Sequence, residues 1–167
     1  MGKDEITNEE AAWAAVREDG RALGDVPEGL VTAELCLEAV RQEGSMLQYV
    51  PNELKTQELC LEAVKQNGWA LEDVPTNLKT AELCLEAVRQ DGWALQNVPE
   101  HLKTEELCLE AVRQDGYALQ YVPPNLKTAE LCHEAVKKAI EDILESVLEN
   151  IPEALREEIR ARFRTGV

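Results

Sequence analysis

The stretch LKTAELCLEAVRQDGWALQNVP, residues 78–99, begins again at residue 102 as LKTEELCLEAVRQDGYALQYVP. Near copies lie on its N-terminal side, and the threonine of each copy recurs every 24 residues, at Thr32, Thr56, Thr80, Thr104 and Thr128. The units that begin at Thr80 and Thr104 are identical at 19 of their 24 positions, which indicates either recent duplication or design to a consensus. Self-similarity at a fixed step of this size predicts a solenoid of stacked repeats.

The first half of each unit predicts one α-helix of about three turns. In the unit that begins at Thr80, this threonine is a good N-cap, Glu82 places negative charge in the first turn, and Gly92 is a usual helix stop. The apolar side chains between them cover an arc of roughly 200°. Such a wide arc is typical of a helix that is packed between copies of itself.

The second half of each unit predicts a short helical return. The segment WALQNV after Gly92 has room for a turn or two of helix, and Pro99 prevents its simple continuation. The PEHL that follows is typical of a tight turn or a 3₁₀ turn. The predicted fold class is therefore all-α: an α-solenoid of 24-residue repeats, each a long helix plus a short helical or 3₁₀ return, with N- and C-terminal caps.

The two ends depart from the repeat, and we expect a single repeat domain over residues 1–167. Residues 8–31 form an N-terminal capping repeat and residues 32–127 form four regular repeats. In residues 128–167, Ile140 replaces the repeated glycine, so the last repeat helix is expected to run on and merge with C-terminal capping helices, the last of which Pro152 opens. A stack needs such ends, because an uncovered terminal repeat exposes its apolar side.

The recurring pattern LKTAELCLEAV(R/K)Q(D/N)GWAL..VP resembles the tandem repeat family catalogued as domain of unknown function 4116. The resemblance is close over about residues 31–136, looser over the first unit, and absent after Lys138. The family has no established activity, so the resemblance implies no catalytic residues. One α-helix plus a shorter helical segment in 24 residues is also similar, by analogy, to solenoids of the leucine-rich repeat variant type.

The composition indicates a protein of the cytoplasm. The first residues are polar and acidic, unlike a secretory leader, and no apolar stretch approaches the roughly 18 residues of a membrane helix. Five cysteines without paired spacing fit a reducing compartment. We therefore expect no contact with a membrane.

The net charge of −16 is spread evenly, with −2 on each of the four units in residues 32–127. There is no basic stripe, which disfavours direct nucleic-acid binding. The charge per length of the stack is about a third of that of duplex DNA. An alternative function, as an acidic inhibitor that occupies the basic site of a nucleic-acid-binding protein, is therefore the minority hypothesis.

No residue pattern indicates catalysis, a metal or a cofactor. Helices stacked about 8 to 10 Å apart place equivalent cysteines too far apart for a disulfide, and parallel columns do not converge on a metal, so the five cysteines are expected to fill the core. Glu130 and His133 have the Glu-x-x-His spacing of carboxylate metal sites, but no matching ligands accompany them. The chain is therefore predicted not to be an enzyme.

The candidate binding surface lies on the short return segments. If these are α-helical, one face carries Trp69, Trp93 and Tyr117 in a column, with Tyr49 and Tyr121 beside it. Exposed Trp and Tyr are typical anchors for protein partners; the alternative is that each ring lies over the next repeat and belongs to the edge of the core. The leading prediction is a non-enzymatic scaffold that binds a protein or peptide, and an engineered consensus scaffold without a natural partner is a further alternative.

Overall fold

The computed structural model describes residues 6–149, 151 and 153–165, and these residues form an all-α repeat solenoid without a strand. The fold class that the sequence predicts is confirmed. Ten-residue helices recur at the repeat spacing, and two helices follow at the C-terminal end. They are α1 (Glu9–Glu18), α2 (Ala33–Gln42), α3 (Gln57–Gln66), α4 (Ala81–Gln90), α5 (Glu105–Gln114), α6 (Ala129–Leu148) and α7 (Glu153–Thr165).

Two 3₁₀ helices follow each of the first five α-helices. Every long 3₁₀ helix has six residues and begins at the repeated glycine, and every short 3₁₀ helix has three residues after the repeated proline. The return is therefore 3₁₀ rather than α, because i→i+3 bonds can close within so short a segment. The long ones are Gly20–Asp25, Gly44–Tyr49, Gly68–Asp73, Gly92–Asn97 and Gly116–Tyr121; the short ones are Glu28–Leu30, Asn52–Leu54, Thr76–Leu78, Glu100–Leu102 and Pro124–Leu126.

The units stack in chain order. From α1 to α6 each α-helix packs against the next one, and each long 3₁₀ helix packs against the long 3₁₀ helix of the following unit. One continuous core runs from Ile6 to Ala135 and contains the same helix positions of the four regular units, such as Leu83 and Val88 of α4. Because each unit covers its neighbours, burial is distributed evenly along the stack.

Side-chain caps begin the repeat helices. The hydroxyl of Thr80 accepts a hydrogen bond from the backbone N–H of Leu83 at 3.2 Å, and the equivalent threonines of α2, α3, α5 and α6 do the same. This satisfies one of the N–H groups that the first turn of a helix leaves without a partner. The predicted N-caps are confirmed.

The repeated glycine has a different role from the predicted helix stop. Helix α3 ends at Gln66, and its C-cap is Asn67 in an extended conformation, one residue before Gly68. A Cβ atom on Gly68 would lie 2.6 Å from the carbonyl oxygen of Ala87 in the next unit. Glycine is required here because the next helix approaches the backbone closely, and not because of a left-handed conformation.

The last unit lacks the return of the others. Helix α6 continues through the position of the repeated glycine, and α7 then folds back on it, with Arg160 of α7 hydrogen-bonded to the carboxylate of Glu145 at 2.7 and 3.1 Å. The predicted opening residue of the last helix, Pro152, lies outside the described residues. Among the described helices, none combines the length and apolar character that crossing a membrane requires.

Candidate functional site

The long 3₁₀ helices place an aromatic column on one side of the stack. With three residues per turn, Gly68 and Leu71 face the core, while Trp69 and Glu72 share the outward face. The aromatic column consists of Trp69, Trp93 and Tyr117, each directly after a repeated glycine. Trp69 and Tyr117 are 40 and 56% exposed, whereas Trp93 is half-buried.

Hydrogen bonds to the following unit hold the two tryptophans of this column in place. The indole N–H of Trp69 donates to Oδ2 of Asp91 at 2.5 Å, and that of Trp93 donates to Oδ2 of Asp115 at the same distance. Each ring therefore lies across a unit boundary and leaves part of its surface to solvent. Both hypotheses for the rings, that they belong to the edge of the core and that they form an exposed surface, describe part of this arrangement.

The aspartates that receive these bonds also begin the next 3₁₀ helix. Oδ1 of Asp91 accepts the backbone N–H of Trp93 at 2.9 Å, and Oδ1 of Asp115 accepts that of Tyr117 at 2.8 Å. One carboxylate thus caps its own unit and orients the ring of the preceding unit. Sequence reasoning missed these aspartates, although Asp or Asn before the repeated glycine was a visible signal.

The two other candidate aromatic residues, Tyr49 and Tyr121, are the last residues of their long 3₁₀ helices, and each contacts the preceding unit. Tyr121 meets Trp93 edge to face, with ring centroids 5.6 Å apart and an angle of 68° between the planes. Tyr49 lies against Gly24, whose added Cβ would be 3.2 Å from the tyrosine ring. Tyr49 is 48% exposed and Tyr121 is half-buried. The tryptophans reach forward along the stack and the tyrosines reach back, so the structure joins Trp93 and Tyr121 directly.

Three lysines at equivalent positions stabilise the long 3₁₀ helices that carry the rings, and we call them the lysine column. The ammonium groups of Lys55, Lys79 and Lys103 donate to the carbonyl oxygens of residues 73, 97 and 121, at 2.7, 2.9 and 3.0 Å. Each lysine thereby places positive charge at the C-terminal end of the next long 3₁₀ helix, where carbonyl groups lack partners. Burial lowers the pKa of Lys79. The lysine at the end of each of the four regular units was the sequence signal, but its hydrogen-bond acceptor could not be predicted.

Burial also affects an acidic residue of this surface. Asp73, at the end of the long 3₁₀ helix of its unit, has a raised pKa, mainly because burial removes water from the carboxylate. Nearby Lys55 and Lys79 oppose that shift, whereas the charge of Glu72 adds to it. The surface that carries the rings therefore also carries the negative charges of Glu72 and Asp73, and Lys55 and Lys79 partly balance them.

The cysteine column is part of the core. Cys36, Cys60, Cys84 and Cys108 are fully buried, Cys132 is half-buried, and all five are free thiols. Burial raises the pKa of Cys36 and Cys84 to about 11 and raises that of Cys60 and Cys108 as well. The predicted role as core filler is confirmed for these four, and their thiols are far from the reactive thiolate form.

Glu130 and His133 are both exposed on α6. Within the part of the chain that the structure describes, no group of three or more His, Cys, Asp or Glu side chains is placed to hold a metal ion. His101, the other histidine, is exposed on a short 3₁₀ helix. Neither histidine is joined to an acid and a nucleophile by a hydrogen bond that the structure records.

These features define a helical repeat protein whose distinctive surface is a column of rings joined across unit boundaries. The profile of the family described as Domain of unknown function (DUF4116) matches the chain twice in tandem, over residues 33–79 and 81–127. The two matches cover more than half of the chain, so the chain belongs to this family. Neither a curated protein nor a solved structure matches it.

Proposed function

We propose that this protein is a non-enzymatic scaffold that binds a protein or peptide along the aromatic column. The observation that carries the proposal is that Trp69 is hydrogen-bonded to the next unit and still has 40% of its surface exposed. A ring that is already ordered loses little further entropy on binding. Tyrosine and tryptophan held in this way are typical anchors of protein interfaces.

The charge around the rings favours a peptide that combines apolar and basic side chains. Asp91 and Asp115 lie at the indole nitrogens, and Glu72 shares the outward face of Trp69. A lysine or arginine of the partner could pair with these carboxylates or lie over a ring face. Because the units repeat, an extended partner would meet the same chemistry at successive units.

Two observations support a role without catalysis. The buried thiols have raised pKa values, which removes the most reactive side chains of the repeat from nucleophilic chemistry. Among the described residues, no three or more His, Cys, Asp or Glu side chains come together to hold a metal ion. We therefore propose binding rather than turnover as the activity.

Panning a phage-displayed random peptide library on the immobilised full chain tests this function. We expect enriched peptides to bind the unaltered chain and to lose at least tenfold in affinity to the Trp69→Ala, Tyr117→Ala double variant, which removes the two exposed rings of the column. The control is Gln57→Ala, which changes an exposed residue in the first turn of α3, where α2 and α4 carry alanine, and should leave binding unchanged. Equal binding to the double variant would refute the role of the rings.

Repeating the binding measurement at low and high salt distinguishes the proposed function from the alternative, an acidic inhibitor of a nucleic-acid-binding protein. Capture by the rings should weaken only in part with salt, because salt screens the pairs with the carboxylates but not the apolar contact. If the enriched peptides are strongly basic, bind regardless of the ring substitutions and are lost steeply with salt, the acidic-inhibitor hypothesis is supported instead. Melting temperatures of all variants, measured alongside, show whether the fold is retained.

A further inference from the structure

A stripe of four apolar side chains lies exposed along α6. It consists of Val136, Ile140, Ile143 and Val147, which are 47 to 56% exposed. Steps of four, three and four residues place them on one face of the helix and match the heptad spacing of helix–helix seams. We call these residues the α6 stripe. A contiguous apolar surface of this kind is uncommon on a protein that remains monomeric.

The stripe is uncovered because the last unit has no return. In the preceding unit, Val112 stands at the position of Val136 and is fully buried, since the long 3₁₀ helix Gly116–Tyr121 folds back on α5. Ile140 stands where that glycine would be, and α6 continues as a helix. The position that is buried in the preceding unit as Val112 is therefore exposed in this unit as Val136.

Helix α7 lies beside the stripe and leaves it partly open. Ile140, Ile143 and Val147 line an apolar pocket together with Leu148 of α6 and with Ile159 and Phe163 of α7. The ion pair of Arg160 with Glu145 closes the far side of this pair of helices. Between the two helices lies an open groove of about 830 Å³, which Ile140 and Phe163 help to line. The α6–α7 hairpin thus has one packed side and one open apolar side.

The pattern of the α6 stripe is the same from either end. The order Val, Ile, Ile, Val with steps of four, three and four is a palindrome centred between Ile140 and Ile143. A two-fold axis at this centre places Val136 opposite Val147 of a second copy, and Ile140 opposite Ile143. A symmetric dimer requires this self-complementarity, because one patch must match itself. We propose that two copies pair antiparallel through the α6 stripe.

The charges of α6 are compatible with this pairing. On the helical wheel, Glu141 and Asp142 lie on the side opposite to the stripe, so the pairing does not bring these acids together. Lys138 and Glu145 also lie on the side of α6 away from the stripe, where they pair with Asp142 and Arg160 of their own chain, so they stay outside the seam.

The second copy would complete a four-helix bundle. Each copy contributes the α6–α7 hairpin, and β-branched residues at both heptad positions favour assemblies of more than two helices over a simple two-stranded coiled coil. Phe163, which is exposed in the single chain, borders the groove that the second hairpin would fill. The proposed seam is made by residues of α6 and α7 and by no residue of the aromatic column, so this inference does not depend on the proposed function.

Light scattering coupled to size-exclusion chromatography of the full chain tests the dimer. At micromolar concentrations we expect twice the chain mass of 18.7 kDa. The double variant Ile140→Lys, Ile143→Lys should have half that mass, because it places like charges opposite each other in the seam. The variant Ile140→Glu, Ile143→Glu should also be monomeric, and a mixture of the two variants should recover the dimer.

The recovery in the mixture distinguishes the proposed seam from a loss of folding. A matched control, Ala33→Lys with Ala81→Lys, adds the same charge at exposed first-turn positions and should leave the mass doubled. A monomeric unaltered chain, a dimer that persists in the lysine variant, or an assembly larger than two would each overturn the proposal. Circular dichroism of each variant confirms that the stack, whose core excludes the stripe, is retained.

Discussion

At the scale of the residue, equivalent positions of the repeat make equivalent contacts. The repeated glycine admits the carbonyl group of the next helix, and Asp91 and Asp115 each hold both their own segment and the indole of the preceding unit. These contacts are made between units rather than within them. Single substitutions should therefore report on stacking.

Replacing Gly68 with alanine should destabilise the stack. Its Cβ would lie 2.6 Å from the carbonyl oxygen of Ala87, which neither helix can relieve without shifting. We expect the free energy of unfolding to fall by about 1 to 3 kcal/mol in urea titrations. Gly29→Ala is the control, because nothing lies within 4 Å of its Cβ position, and an equal loss in both variants would contradict the steric argument.

Alkylation should distinguish one cysteine from the other four. Cys132 is half-buried at the end of the stack, whereas thiols such as Cys84 are fully buried with a pKa raised to about 11 and stay protonated at pH 8. Under native conditions at pH 8, iodoacetamide should add one label, at Cys132, detected by mass spectrometry. The variant Cys132→Ser should take none, and rapid labelling of several sites would show that the core is not closed.

At the scale of the element, the long 3₁₀ helices depend on support from outside. The three from Gly68 to Tyr121 each begin at a side-chain cap and end where a lysine of the preceding unit reaches the last carbonyl group. Six residues of 3₁₀ helix are long for this geometry, so such support matters more than it would for an α-helix. Lys127 holds the equivalent position in the last regular unit, but the unit after it lacks a return for this lysine to stabilise.

Replacing Lys79 with methionine should therefore cost more than the same change at Lys127. The ammonium of Lys79 donates to the carbonyl oxygen of Asn97 at 2.9 Å in a partly buried position, whereas the side chain of Lys127 is exposed. We expect a loss of about 1 kcal/mol for Lys79→Met and almost none for Lys127→Met, from thermal or urea unfolding. Equal effects would show that the contact with Asn97 does not stabilise the fold.

At the scale of the whole molecule, contacts between neighbours dominate, as in other solenoids. The principal contacts of each unit are with the unit before and the unit after it. Stability should accordingly be close to a sum over units and their interfaces. The length of the stack is then adjustable without a change of fold.

Deleting one whole period, residues 80–103, should give a folded and shorter protein. We expect unchanged ellipticity per residue and a maximum dimension in X-ray scattering smaller by about 10 Å, the spacing of one packed helix. Deleting residues 92–103 is the control, because it removes a return and leaves its helix without cover. If the shorter deletion folds as well as the full period, the unit boundaries assigned to the stack are incorrect.

The sequence by itself determined the period, the all-α class, the N-caps and the burial of the cysteine column. These features follow from local helix chemistry and from apolar spacing within one unit, so they can be read without coordinates. Helical periodicity did misplace one detail, because the return has three residues per turn. Trp69 therefore shares its outward face with residue 72, and not with residue 73 as an α-helix would require.

Only the tertiary structure decided what happens between units and at the end of the stack. The indole of Trp69 finds Asp91, and the ammonium of Lys79 finds a carbonyl group, across distances in sequence of 22 and 18 residues. The exposure of the α6 stripe likewise depends on a return that is missing, which no pattern within α6 reveals. Burial depends on which neighbour is present, and that is a property of the assembled stack.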